Sequence, residues 1–114
     1  MKKRLISSYD EENDIFTGKV DGEKGFVADY GISDGVYLEI NDSNLPTSVS
    51  IFNASEVLNI SKSVLESSDV KIDIGCDELC FTFSMFIENL PVFSTRCRNH
   101  FGIPSINYQI DSNI

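Results

Sequence analysis

The side chains best suited to chemistry lie close together in the second half of the chain. Cys76 and Cys80 have three residues between them, and Cys97 and His100 have two. Paired thiol and imidazole ligands at such short spacings, separated by a hairpin's length, are how four ligands are brought around a tetrahedral Zn²⁺. The Pro and Gly of zinc knuckles are missing here, and a cysteine at a strand edge also packs as a small hydrophobe. Strand register divides the two readings. If residues 88–91 form a four-residue loop, Cys97 opposes Thr82 and shares a sheet face with Cys80, leaving His100 within reach. If residues 88–90 form a three-residue loop, Phe93 opposes Met85 and Cys97 opposes Phe81, which turns that thiol into the core. The second register satisfies more apolar side chains.

Other chemistries are poorly supplied. A nucleophile needs a base beside it, and His100 is the only histidine available to every Ser and Cys. Gly18, Gly22 and Gly25 lack phosphate-loop spacing, and Gly18-Lys19 is not followed by Ser or Thr. The chain is therefore read as a non-enzyme. The acidic turn Asp10, Glu11, Glu12 and Asp14 offers oxygen ligands to Ca²⁺, but Ile15 stands where an EF-hand loop requires Gly, and Asp21 where it requires Glu. These are solvated turn carboxylates in the plainer reading.

Charge is more informative. Tyr9 to Glu56 contains eleven acidic residues and two basic ones, Lys19 and Lys24, so this stretch alone accounts for the formal charge of −9. Such a surface repels phosphate backbones and anionic headgroups, which disfavours direct nucleic-acid binding and membrane association. It either keeps the protein dispersed or docks a basic protein partner, and the carboxylates that would do so are Asp10, Glu11, Glu12, Asp14, Asp29, Asp34 and Glu39. The leading functional expectation is a non-enzymatic acidic protein-binding module, an inhibitor of a basic partner of the antitoxin, immunity or anti-defence type. The alternatives are a zinc-stabilised or redox-responsive module resting on Cys76, Cys80, Cys97 and His100, and a self-associating homodimer that pairs exposed strand edges.

The elements that must position these residues follow from apolar periodicity. At 114 residues the chain is long enough for one modest core and is expected to be a single domain. Within it, 9–66 reads as a meander plus helix, 67–98 as C-terminal strands and 99–114 as a tail. Met1 to Arg4 is basic, but only Leu5 and Ile6 follow before Ser7 and Ser8, so no secretory apolar region is recognised. The odd cysteine count fits reduced thiols, and a cytoplasmic location is expected. No apolar run is long enough for a membrane span, the segment Leu79 to Ile87 being interrupted by Thr82 and Ser84.

Strands are predicted at Leu5 to Tyr9, Ile15 to Val20, Phe26 to Tyr30, Gly35 to Asn41 and Ser48 to Phe52, separated by clusters of Asp, Asn, Gly, Ser and Pro. Val36, Leu38 and Ile40 share one face of their strand, and Tyr37, Glu39 and Asn41 the other. Asn53 followed by Glu56 approximates a capping box, and Val57, Ile60, Val64 and Leu65 form a narrow stripe, predicting a helix of about 12 residues that ends at Ser67 to Asp69 and needs packing to persist. Val70, Ile72 and Ile74 then alternate, as do Phe81, Phe83, Met85 and Ile87. A hairpin closed by residues 76–79 places Ile74 opposite Phe81, Ile72 opposite Phe83 and Val70 opposite Met85. Another strand is expected over Val92 to Cys97, and a weak one at Ile106 to Ile110. The fold class predicted is α+β, an antiparallel β-meander packed by one central helix and followed by a second antiparallel β-hairpin.

Three of these motifs in order, Tyr9-Asp-Glu-Glu-Asn-Asp-Ile-Phe16, Asp34-Gly-Val-Tyr-Leu38 and Ile51-Phe-Asn-Ala-Ser55, resemble the small prokaryotic domain-of-unknown-function family numbered 2283. The resemblance covers residues 9–58, and this sequence departs from it at Thr17 and Gly18, where an apolar alternation is usual, and at Pro46 to Ser48, where a glycine turn is usual. It implies a meander-plus-helix fold and brings no catalytic residue with it.

Overall fold

Apolar alternation carries through almost the whole chain as strand. The computed structural model describes residues 1–113 and contains nine strands, β1 (Lys2–Asp10), β2 (Ile15–Val20), β3 (Ala28–Ser33), β4 (Val36–Ile40), β5 (Pro46–Phe52), β6 (Val70–Cys76), β7 (Cys80–Ile87), β8 (Leu90–Arg98) and β9 (Ile106–Asp111). Two short helices, α1 (Ala54–Val57) and α2 (Lys62–Ser67), lie between β5 and β6. The strands form one sheet in the order β3-β4-β5-β2-β1-β9-β6-β7-β8. Every neighbouring pair is antiparallel except β1 and β9. The sheet curls until its two edge strands, β3 and β8, lie against each other, and Tyr30 stacks on Phe101 with ring centroids 4.7 Å apart. The result is a nearly closed barrel, which protects strand edges that an open sheet leaves available for pairing.

The barrel interior is the core. Leu38, Val49 and Ile51 from one side meet Ile72, Ile74, Phe81, Phe83 and Met85 from the other, all buried. Burying each such side chain stabilises the fold by roughly 1.5–3 kcal/mol. Gly18 faces this interior on β2. A Cβ there would stand 3.0 Å from Leu5 Cδ1 on the adjacent strand and 3.3 Å from the Phe16 ring on the same strand, so the apparent interruption in the second strand is the place where large neighbouring side chains need room. Ala54, Leu58 and Leu65 of the helical segment are buried against one end. At the other, Ile103 is buried and Phe101 stands edge-on to Phe81.

The expected α+β class is thus corrected to a mostly β barrel, and the central helix is absent. Asn53 does not form a capping box; it sits in the left-handed region (φ 53°) and its side chain makes no capping hydrogen bond. Asn59, also left-handed at φ 54°, stops α1 after one turn, as Asn does at helix C-termini. Ser61 then starts α2 afresh, its hydroxyl accepting from Val64 N at 3.4 Å. A stripe as narrow as Val57, Ile60, Val64 and Leu65 offers too little buried surface to hold the two turns in line.

The β6–β7 hairpin forms with its faces as expected but with its register moved by two. Ile74 pairs with Phe83, Ile72 with Met85 and Val70 with Ile87. The cause is Asp77, whose carboxylate accepts from Leu79 N at 2.8 Å and Cys80 N at 2.7 Å and closes the turn over residues 77–80. The segment expected as a tail from residue 99 supplies β9, which sits inside the sheet between β1 and β6. Its final residue, 114, lies outside the described residues.

Candidate functional site

Strand alternation dictates which side chains reach the outer wall. On β4, Val36, Leu38 and Ile40 point inward, so Tyr37 and Glu39 point out. Cross-strand register places Asp29 of β3 directly opposite Glu39, with Ser48 of β5 on its other side, and places Gly31 opposite Tyr37, with Ser50 beyond. Phe52 ends β5 on the same outer face, its ring edge-on to Tyr37 with centroids 5.6 Å apart. Between them lies a hollow of about 620 Å³, whose walls are Asp29, Gly35, Tyr37, Glu39, Ser50, Phe52 and Asn53. Tyr37 is 39% exposed and Phe52 43%.

The backbone at the rim is shaped by Gly35. It adopts φ 77° in the β3–β4 turn, and a Cβ would come within 2.9 Å of Phe52 O. Only glycine takes both the left-handed conformation and that approach without displacement. Phe52 N donates to Gly35 O at 2.8 Å, fixing Phe52 beside the turn.

Electrostatically the hollow is one-sided. Asp29 and Glu39 face each other on adjacent strands, a placement that costs stability between like charges. Ser48 Oγ donates to Glu39 Oε2 at 3.1 Å. No Lys or Arg lines the hollow; Lys19 of β2, opposite Ser48, shares a neighbouring hollow with Glu39, and the one ion pair among the described residues, Lys3 with Glu23 at 2.8 Å, belongs to the β1 side.

The other acidic positions divide by role. Ile15 pairs with Phe52 and Val36 with Ile51, which puts the β1–β2 turn, the β3–β4 turn and the start of α1 at one end of the barrel. Asp10, Glu11, Glu12 and Asp34 are exposed there. Asp10 accepts from Asn13 Nδ2 at 2.8 Å and Asn13 N at 3.2 Å, and these bonds hold its carboxyl below the usual range. Asp14 is different. It accepts from Ser55 Oγ at 2.6 Å, Ser55 N at 3.0 Å and the Tyr9 hydroxyl at 2.6 Å. Burial works to raise its carboxyl, but the bonds from Ser55 and Tyr9 outweigh it and hold Asp14 below its ordinary value. Tyr9 is pushed up to about 12 by burial and by its bond to that carboxylate. Asp14 is thus the real cap of α1 and is engaged within the fold. Of the seven carboxylates read as partner-binding, Asp29 and Glu39 line the hollow, Asp34 adjoins it through Gly35, and Asp10, Glu11 and Glu12 stand at the neighbouring end. Tyr37 and Phe52 were the residues sequence reasoning passed over; a large aromatic on the polar side of a strand's alternation is the signal that marks them.

The four cysteine and histidine positions do not meet at one point, although Cys80 shares one outer hollow with His100 and another with Cys76. Phe81 pairs with Cys76 on one side and Cys97 on the other, so both thiols turn inward with Phe81 between them. Cys80, one residue along, turns outward, where Arg96 Nη2 donates to its Sγ at 3.4 Å. Cys97 opposes Phe81 and Phe93 opposes Met85, as in the core-facing register, but through a tight turn at Glu88 and Asn89 followed by a bulge near Val92. Burial raises the thiols of both Cys76 and Cys97, and Cys76 Sγ donates to Ile103 O at 3.8 Å. His100 is exposed, edge-on to Phe101. Among the described residues no group of three or more metal-binding side chains forms.

No protein-family model, curated protein or solved structure matches this chain.

Proposed function

We propose that this chain is a non-enzymatic binding module that docks a basic protein through the acidic wall formed by β3, β4 and β5 and the adjoining β1–β2 turn, in the manner of an inhibitor, antitoxin, immunity or anti-defence protein. The observation that carries the reading is the segregation of charge. Residues 9–56 hold eleven carboxylates and two cations, whereas the rest of the chain holds seven of each. The fold gathers that stretch into neighbouring strands on one side of the barrel. A surface of one sign steers and orients an oppositely charged partner, with an association rate that falls as salt rises.

Among the described residues no helix is long and apolar enough to cross a membrane. All three cysteines are free, which accords with the cytoplasmic placement proposed here. The reading is tested by immobilising the intact protein, exposing it to extract of its native cell, and washing in steps of rising salt. A basic protein held near stoichiometric yield and released by salt is the expected result; retention of nothing, or of a partner indifferent to salt, rejects the reading.

A further inference from the structure

We infer that the hollow over β4 and β5 is a seat for a single arginine side chain of the partner, a conclusion that deepens and depends on the docking reading above. Three observations converge on it. Asp29 and Glu39 stand directly opposite each other on the outer face, and no Lys or Arg lines the hollow, Lys19 lying beyond Ser48 two strands from Glu39. The same hollow presents two partly exposed aromatic rings, Tyr37 and Phe52, locked edge to face at 5.6 Å. At about 620 Å³ it has room for a long side chain and the backbone that carries it.

Guanidinium is the cation that uses all of this. Its plane stacks on an aromatic face, and its fork of donors reaches two carboxylates at once. A lysine ammonium satisfies the charge but is a compact, strongly hydrated point with no flat face to lay on Tyr37 or Phe52. The rings are already fixed by β5 and the Gly35 turn, so little ordering is needed when the side chain arrives. The repulsion between Asp29 and Glu39 is then eased in the complex, which separates binding from stability: neutralising Asp29, which makes no hydrogen bond of the kind Glu39 receives from Ser48, should stabilise the free protein while weakening the seat.

The test uses the full chain and two probes, N-acetyl-arginine methylamide and its lysine counterpart, titrated into isotopically labelled protein at low salt while amide resonances are followed. Arginine should shift Gly31, Tyr37, Ser50 and Phe52 and bind several-fold more tightly than lysine. Glu39→Gln should weaken it roughly three- to tenfold, the range expected of a partly exposed charged contact, while Glu78→Gln, exposed in the β6–β7 turn, leaves it unchanged. Asp29→Asn should weaken it similarly and raise the melting temperature of the free protein. Equal shifts from both probes, shifts spread over the β1–β2 turn, or no response in the hollow overturn the seat. If the salt-sensitive basic partner is captured yet binds Glu39→Gln and Tyr37→Ser variants as well as wild type, the seat alone fails; if no such partner is captured, the docking reading fails with it.

Discussion

Asp14 shows how a residue chosen for its charge can be spent on structure. Its carboxylate joins the β1–β2 turn to the first turn of α1 through Ser55 and carries the Tyr9 hydroxyl as a third donor. Asp14→Ala should therefore cost about 1–2 kcal/mol, the usual loss for a helix cap with its charged hydrogen bonds, seen as a lower denaturant midpoint at unchanged slope. The pH dependence has two limbs. Because the folded Asp14 carboxyl lies below its ordinary value, its contribution is full above the ordinary carboxylate range and is lost as pH falls through the folded value. Tyr9 works in the opposite sense: raised from 10.0 to about 12, it contributes fully below 10 and loses that contribution as pH rises toward 12. Tyr9→Phe should remove the alkaline limb, and chemical unfolding measured from pH 8 to 12 checks it. Sequence alone placed Asp14 among free turn carboxylates because its partner Ser55 is forty-one positions away and is brought near only by the fold.

The elements were legible wherever alternation was clean and their neighbours were not. Inward and outward faces of β4, β6 and β7 follow directly from their apolar periodicity, since a period of two leaves no other choice once one side is buried. The register of β6 on β7 was beyond periodicity, because shifting by two preserves both faces; Asp77 decides it through its hydrogen bonds to Leu79 and Cys80. That register also settles the cysteines. A thiol-reactive reagent under native conditions should modify Cys80 first, with Cys76 and Cys97 following more slowly, as mass mapping of labelled peptides would show; simultaneous modification of all three would contradict their division between faces. The helix failed for a related reason: Asn59 and Ser61 are a stop and a start, and a stripe of four apolar residues cannot override them. Gly35 belongs to this scale as well. Gly35→Ala should destabilise by about 1–3 kcal/mol, the cost of forcing a side chain into left-handed backbone against Phe52 O, read as a lowered melting temperature together with loss of the Tyr37–Phe52 arrangement.

For the whole molecule, the decisive feature is that one continuous sheet carries two unlike walls. A curled sheet brings β2 through β5 together as the acidic side, while β1, β9 and β6 through β8 keep Lys2, Lys3, Arg4, Lys71, Arg96 and Arg98 on the other. Composition disclosed the charge and its placement along the chain. What it could not disclose was closure, because β9 enters the sheet beside β1 from the far end of the sequence and the seam at β3 and β8 is closed by Tyr30 and Phe101. The measurement that tests this account most directly is paired capture from native extract, using wild type and an equally folded variant carrying Asp10→Asn, Glu12→Gln, Asp29→Asn and Glu39→Gln as the two baits. The account predicts a basic protein near stoichiometric yield on wild type, released by salt, and absent from the variant. The same protein retained equally by both baits, or none on either, would contradict it.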